Sequence, residues 1–354
     1  MVPKKMVPAI WKSRATPDSV VNPHIAVLGA GSWGTGLALQ LDRSGSRCIL
    51  WDRDTENLSQ IRSTRRNTRY LPGIEIPESI TVEDDVLSAV KAADHVLLVT
   101  PSYAFASIIS TIREVLVPGQ GIAWACKGFE PGSGRLLHEV AAELLPSDTP
   151  TAIVTGPSFA KEVAMNLPTA VTVAGPDSKF TKFIAKALHG GRFRAYTSDD
   201  MIGAELGGAV KNVMAVATGI CDGMKLGDNA RAALITRGLA EMMRLGAALN
   251  AKPETLMGLA GAGDLILTCT GDLSRNRQLG LKLGEGKTLE QALEEIGQVV
   301  EGVNSSAEVQ RLAIEYDINM PISEQVNGII HNGWDPVEGV ARLLAREQKA
   351  EHED

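Results

Sequence analysis

Lys211 stands in a helical stretch, residues 201–220, that reads M-I-G-A-E-L-G-G-A-V-K-N-V-M-A-V-A-T-G-I, with Glu205 as the one other charge. On a helix two side chains six positions apart project about 120° from one another, so these are not a surface ion pair. Gly207, Lys211, Ala215 and Thr218 share one face, and small residues there let a ligand or another backbone approach the amine. Such a lysine reads either as a snorkelling residue at the edge of a packed helix or as a site group. Glycines cost stability in a helix interior and so apolar a helix makes a poor solvated face, which favours the second reading. Partial desolvation lowers a lysine pKa from about 10.4. The amine can then take a proton from an alcohol and return one to a carbonyl.

Other stretches offer partners for that chemistry. Residues 258–264, G-L-A-G-A-G-D, place small residues before Asp264. This carboxylate reads as a helix N-cap, or as a contact to substrate hydroxyls or to Lys211. Residues 271–277, G-D-L-S-R-N-R, open a helical stretch. Ser274, Arg275 and Asn276 offer a hydroxyl, a guanidinium, an amide and free N–H groups that suit a phosphate; the alternative is a Ser cap with solvated arginines. Lys127 follows an apolar run over 122–126, and Gly156-Pro157-Ser158 follows another over 151–154. In open α/β sheets ligands sit beyond such strand ends.

A second constellation spans residues 25–54. An apolar run, residues 25–28, leads into Gly29, Gly31 and Gly34 at G-x-G-x-x-G spacing, then a helical pattern, then an apolar run, 48–51, that ends in Asp52 and Arg53. Strand, glycine turn, helix, strand and a polar reader some twenty residues on form the dinucleotide-binding arrangement. Gly29 permits the turn, Gly31 lets the backbone approach a pyrophosphate, and Gly34 lets helix and strand pack. Asp52 suits the free ribose hydroxyls of NAD, whereas Arg53 suits adenine stacking or the 2′-phosphate of NADP. Both are present, so NAD and NADP remain open.

The elements that position these groups change character along the chain. Further strands are expected over 95–100, 122–126, 151–154, 170–174 and 193–196, with helices at 54–69, 104–115 and 134–145. Continuous apolar strands alternating with helices predict a doubly wound, mostly parallel, Rossmann-like sheet. From residue 199 only helices are expected, at 199–220, 229–249, 288–296, 305–316 and 323–332. The chain therefore reads as a tail (1–22), a dinucleotide-binding α/β domain (23–198), an all-helical substrate domain (199–345) and a charged tail (346–354); 354 residues exceed one typical domain.

A net charge of −7 with no basic stripe argues against a nucleic-acid partner. Four scattered cysteines, Cys48, Cys126, Cys221 and Cys269, suggest a reducing compartment without a disulfide or zinc framework, and no metal site is expected. No apolar run reaches the ~18 residues of a membrane span, and residues 1–22 lack a signal-peptide core. A cytoplasmic protein is expected.

Six blocks in order carry a family resemblance: G-A-G-S-W-G-T from Gly29, T-G-P-S-F-A-K-E from Thr155, E-L-G-G-A-V-K-N from Glu205, G-L-A-G-A-G-D-L from Gly258, L-S-R-N-R from Leu273 and V-E-G-V from Val300. Over roughly residues 24–340 the chain resembles the NAD(P)-dependent glycerol-3-phosphate dehydrogenases of the bacterial type. The resemblance implies a helical domain related to that of 6-phosphogluconate dehydrogenase, a homodimer, and interconversion of dihydroxyacetone phosphate with sn-glycerol 3-phosphate for phospholipid synthesis. It also implies that Ser32, Trp33, Arg53, Lys127, Ala160, Arg275, Val299 and Glu301 contact NAD or NADP. Lys127, Gly156, Ser158, Asp264, Ser274, Arg275 and Asn276 would hold a small-molecule phosphate substrate, with Lys211 as proton donor and acceptor. Rival readings are another β-hydroxy or sugar-phosphate dehydrogenase of this plan and a non-catalytic dinucleotide sensor.

Overall fold

A computed structural model describes residues 22–348 and residue 350. The tail expected over 1–22 lies outside them but for Asn22, as do 349 and 351–354 of the C-terminal tail. The first half alternates β1 (His24–Leu28), α1 (Ser32–Arg43), β2 (Arg47–Trp51), α2 (Thr55–Thr64), β3 (Ile80–Val82), α3 (Val86–Lys91), β4 (His95–Leu98), α4 (Phe105–Ile112), β5 (Ile122–Trp124), α5 (Leu137–Leu144), β6 (Thr151–Thr155), α6 (Ala160–Ala164), β7 (Thr169–Ala174), α7 (Ser178–Leu188) and β8 (Phe193–Ser198). Among the described residues every later element is helical: α8 (Met201–Gly223), α9 (Asp228–Ala248), α10 (Pro253–Leu256), a π-helical turn (Leu259–Gly263), α11 (Asp264–Thr270), α12 (Arg275–Gly284), α13 (Leu289–Ile296), α14 (Glu301–Glu315), α15 (Pro321–His331) and α16 (Pro336–Leu344).

The strands form one sheet in the order β3-β2-β1-β4-β5-β6-β7-β8. All neighbours run parallel except β6 and β7. Helices cover both faces, so central strands are buried throughout; Ala26, Val27 and Leu28 have no exposure. This is the doubly wound sheet followed by helices that the alternation predicts. Several local expectations differ, and the strand expected over 95–100 ends at Leu98. The helix expected over 54–69 stops at Thr64, because Arg65 adopts a left-handed conformation (φ 53°) and its guanidinium turns back to the carbonyls of Ile76 and Ile80. β3, a three-residue edge strand with one neighbour, was not foreseen. The strand expected over 122–126 ends at Trp124, so Lys127 sits in the loop beyond it.

Three close approaches shape the site. Gly34 begins the packing of α1 on the turn: a Cβ there would lie 1.8 Å from the Gly29 carbonyl oxygen. Gly34→Ala is therefore expected to cost about 1–3 kcal/mol of stability by overpacking and to weaken dinucleotide binding, read by denaturant unfolding and a cofactor titration. The second is a seam between α8 and α12. A Cβ on Gly219 would meet the Arg277 carbonyl oxygen at 2.1 Å, and one on Gly280 that of Val216 at 2.0 Å. The slim profile of α8 thus admits another backbone. Gly207 does the same toward the π-helical turn, where a Cβ would lie 2.4 Å from the Ala260 oxygen.

Candidate active site

A crevice of about 1060 Å³ runs from the glycine turn, past the carboxyl ends of β4 and β5, to α8, α11, α12 and the start of α14. Of the predicted site residues, Gly29, Gly31, Ser32, Trp33, Arg53, Lys127, Ser158, Ala160, Lys211, Asp264, Ser274, Arg275, Asn276, Val299 and Glu301 line it. Gly34 and Gly156 do not. Gly34 lies under the turn, and Gly156 acts through its carbonyl, which accepts hydrogen bonds from Lys127 Nζ (3.2 Å) and Ser158 Oγ (2.9 Å).

At the base two lysines share one carboxylate. Lys211 Nζ donates to Asp264 Oδ1 at 2.6 Å, and Lys127 Nζ to Asp264 Oδ2 at 2.7 Å. Lys211 is 6 % exposed and Asp264 1 %. Burial pushes the Lys211 amine down to about 7; the Lys127 charge adds to the fall and Asp264 opposes it. For Asp264 burial acts upward, but the two ammoniums more than offset it and hold the carboxyl below its usual range. Asp264 is the first residue of α11 rather than an N-cap, and the Lys211 contact is the reading that the geometry adopts. Thr268 was missed. Its Oγ1 accepts from Lys211 Nζ at 3.0 Å and donates to the Asp264 carbonyl at 2.6 Å. One helical turn from Asp264 was the signal that could have found it.

The α12 end divides its work. Ser274 caps the helix, accepting from the Arg277 N–H at 3.2 Å. Arg275 stands on the crevice wall and reaches Gln298, while Arg277 is held away by Asp222 (2.7 Å) and Asp272 (2.9 Å). Asn276 donates to Asn212 Oδ1 (2.9 Å) and accepts from Gly302 N (2.8 Å), so its amide braces α8 and α14. Its remaining amide hydrogen, the second lone pair of its Oδ1 and its backbone N–H are left for a substrate.

On the dinucleotide side, a Cβ on Gly31 would meet no atom within 4 Å, which leaves room for a pyrophosphate. The buried indole Nε1 of Trp33 has no hydrogen-bond partner among the described residues. An orphan buried donor at the mouth of a glycine turn fits a polar ligand supplied from outside. Ser32 Oγ donates to the Tyr70 carbonyl at 2.6 Å. Asp52 turns inward: its oxygens accept the N–H groups of Ala30 and Asp54, bracing the turn. Arg53 lies 5.9 Å from the Tyr103 ring centroid and donates to its hydroxyl. Glu301 accepts from Ser102 N and Oγ (3.3 and 2.9 Å), tying α14 to the loop after β4.

Comparison with known proteins agrees with this geometry. Residues 24–181 match the family described as NAD-dependent glycerol-3-phosphate dehydrogenase N-terminus, and residues 200–341 the corresponding C-terminus. A glycerol-3-phosphate dehydrogenase (NAD(P)+) from Stenotrophomonas maltophilia (strain K279a) is 59 % identical over 336 residues, covering 95 % of this chain and 98 % of its own. The crystal structure of a glycerol-3-phosphate dehydrogenase from Coxiella burnetii is 48 % identical with a TM-score of 0.89, covering 92 % of this chain and 99 % of that one. The Saccharomyces cerevisiae glycerol-3-phosphate dehydrogenase is 26 % identical with a TM-score of 0.77, covering 90 % and 98 %. The chain belongs to the NAD-dependent glycerol-3-phosphate dehydrogenase family.

Proposed function

We propose that this chain interconverts sn-glycerol 3-phosphate and dihydroxyacetone phosphate by hydride transfer with NAD or NADP, and that Lys211 donates and accepts the proton. The observation that carries the assignment is the buried Lys211–Asp264 pair, joined by the partly exposed Lys127, in a crevice that begins at a dinucleotide turn. When bound, the nicotinamide supplies the hydride. The glycine turn, Ser32, Trp33 and Arg53 hold that cofactor, with Ala160, Val299 and Glu301 on the facing walls. Asp264 orients both ammoniums, and Lys211 delivers a proton to the carbonyl oxygen as alkoxide-like charge develops there. Arg275, with the free N–H groups at the start of α12, grips the phosphate. Ser158, Ser274 and Asn276 complete the substrate wall.

The remaining organisation is read in the same way. The sheet ends at Ser198 and the buried apolar residues fall into two clusters, which supports domains at 23–198 and 199–345. No helix among the described residues is long and apolar enough to cross a membrane. We read the enzyme as a cytoplasmic homodimer that supplies glycerol 3-phosphate for phospholipid synthesis; light scattering of the purified protein tests the dimer.

Steady-state reduction of dihydroxyacetone phosphate with NADH and with NADPH tests the reaction. Turnover with at least one is expected, and turnover with neither overturns it. The pH dependence follows from Lys211. With its pKa lowered to about 7, the amine is charged below that pH and neutral above it. Ketone reduction needs the charged form, so its kcat/KM is expected to fall as pH rises through about 7. Alcohol oxidation needs the neutral form, so its kcat/KM is expected to fall as pH drops through the same region. Coincident profiles in the two directions would remove Lys211 from the proton step.

A further inference from the structure

Glu205 is 3 % exposed and plays no part in the chemistry above. Its Oε1 accepts the indole N–H of Trp124 at 3.0 Å and the backbone N–H of His138 at 3.1 Å. Its Oε2 stands 2.6 Å from His138 Nδ1. The three donors belong to β5 and to the first turn of α5, whereas Glu205 belongs to the first turns of α8. The residue preceding α5 is Leu136, whose side chain has no acceptor for the free N–H groups of that helix. Glu205 therefore caps α5 from another element, and its negative charge lies where the helix dipole favours one.

The position matters for the site. Trp124 lies three residues before Lys127, and its ring is fixed edge-on to Phe105 with centroids 5.3 Å apart. Glu205 lies six residues before Lys211 on a single unbroken helix. Between them Gly208 of α8 rests against Lys127 and Thr155; a Cβ there would come 3.6 Å from Lys127 Cγ and 3.1 Å from Thr155 Oγ1. The two lysines reach Asp264 from different elements, and Glu205 is the buried polar joint between those elements.

We propose that Glu205 is a positioning residue for the proton-transfer site: it pins α8 to β5 and α5 at the depth that lets Lys127 and Lys211 meet on Asp264. The proposal rests on the reading of Lys211 as the proton donor. A carboxylate suits the joint because it accepts from an indole N–H, an amide N–H and an imidazole N–H together. Glutamine keeps the size and one accepting oxygen but turns an amide donor toward one of those partners. His138 is drawn toward its charged form there. Burial acts against its proton, but the bond and charge of Glu205, with Glu139 nearby, win and raise its pKa.

The test uses the full chain with Glu205→Gln and Glu205→Ala, each measured for melting temperature, cofactor affinity, kcat per folded molecule and the pH profile of ketone reduction. Glu205→Ala is expected to lose kcat about 10- to 100-fold, as for a displaced reacting group, and to move the Lys211 limb of the profile. Cofactor affinity is expected to stay, since the glycine turn is remote from the joint. Glu205→Gln is expected to fall between the two. Lower stability with unchanged kcat per folded molecule and an unmoved limb would overturn the proposal. Should Glu205→Ala fail to fold, Trp124→Phe, which keeps an aromatic ring against Phe105 and removes one donor, is expected to move the limb in the same direction; an unmoved limb overturns it equally. An NMR titration of the Lys211 Nζ nucleus in wild type and Glu205→Gln reads the same displacement without turnover. Failure of the assigned reaction is thereby distinguished from failure of the joint.

Discussion

Lys211→Ala is expected to lower kcat by about 10²- to 10⁴-fold, the span that a positioned proton donor contributes, while the Kd for the dinucleotide stays near that of the wild type. The contrast follows from what remains. Asp264 keeps its bond to Lys127 at 2.7 Å, so the buried carboxylate is still paired, and no contact to the glycine turn is lost. Lys211→Met, which keeps most of the volume, is expected to lose the same activity with less cost in stability. The measurements are stopped-flow single turnover, which isolates the chemical step, and a fluorescence titration with the reduced cofactor. Unchanged kcat in both variants would sink the assignment of Lys211.

Asp264→Asn is expected to damage both fold and chemistry. It leaves the buried Lys211 ammonium and the partly exposed Lys127 ammonium sharing a neutral amide, and breaking a buried ion pair from one side costs about 3–5 kcal/mol. Lys211 relieves part of this cost by releasing its proton, because the Asp264 charge is what opposes burial and the Lys127 charge at that amine. Its pKa therefore falls further below about 7. Ketone reduction is accordingly expected to decline at a lower pH than in wild type, with a larger deficit at pH 8 than at pH 6. Urea unfolding gives the stability term as a lower midpoint at constant slope, and the paired pH profiles give the displaced limb. An unchanged limb in a folded Asp264→Asn protein would show that the carboxylate does not set the charge on Lys211.

The parts of this molecule that could be read from its sequence are those where local pattern has a single physical solution. A continuous apolar run such as that ending at Leu28 has to be buried on both faces, and a glycine triplet before a helical pattern has to be a tight turn. The short edge strand β3 has one neighbour and a partly exposed face, so its three residues carry no distinctive run. The early end of α2 depends on Arg65 entering a left-handed conformation without a glycine or proline to announce it. Within the site, residue types point to Lys127 by itself and offer a contact between Lys211 and Asp264 as one alternative among three. Their meeting is tertiary, with Asp264 lying 137 positions from Lys127 and 53 from Lys211. Spacing placed Asp52 after the second strand but not the direction of its side chain, which braces the turn instead of facing outward. The same gap separates Arg275 from Arg277: both are arginines at one helix start, and the positions of Asp222 and Asp272 draw Arg277 away.

The seam between α8 and α12 has a consequence for substrate choice. At Gly219 and Gly280 the two helices touch main chain to main chain, which leaves little to compress or rotate at those points and stiffens the pair. Lys211 is mounted on α8 and Arg275 on α12, so the backbone positions that carry the two cations are held relative to one another. On the roles proposed above, Lys211 at a carbonyl and Arg275 at an anion, the pair would act as a ruler that a molecule of the wrong span could touch at either end but not both. Selection by length would then rest on the glycines of the seam.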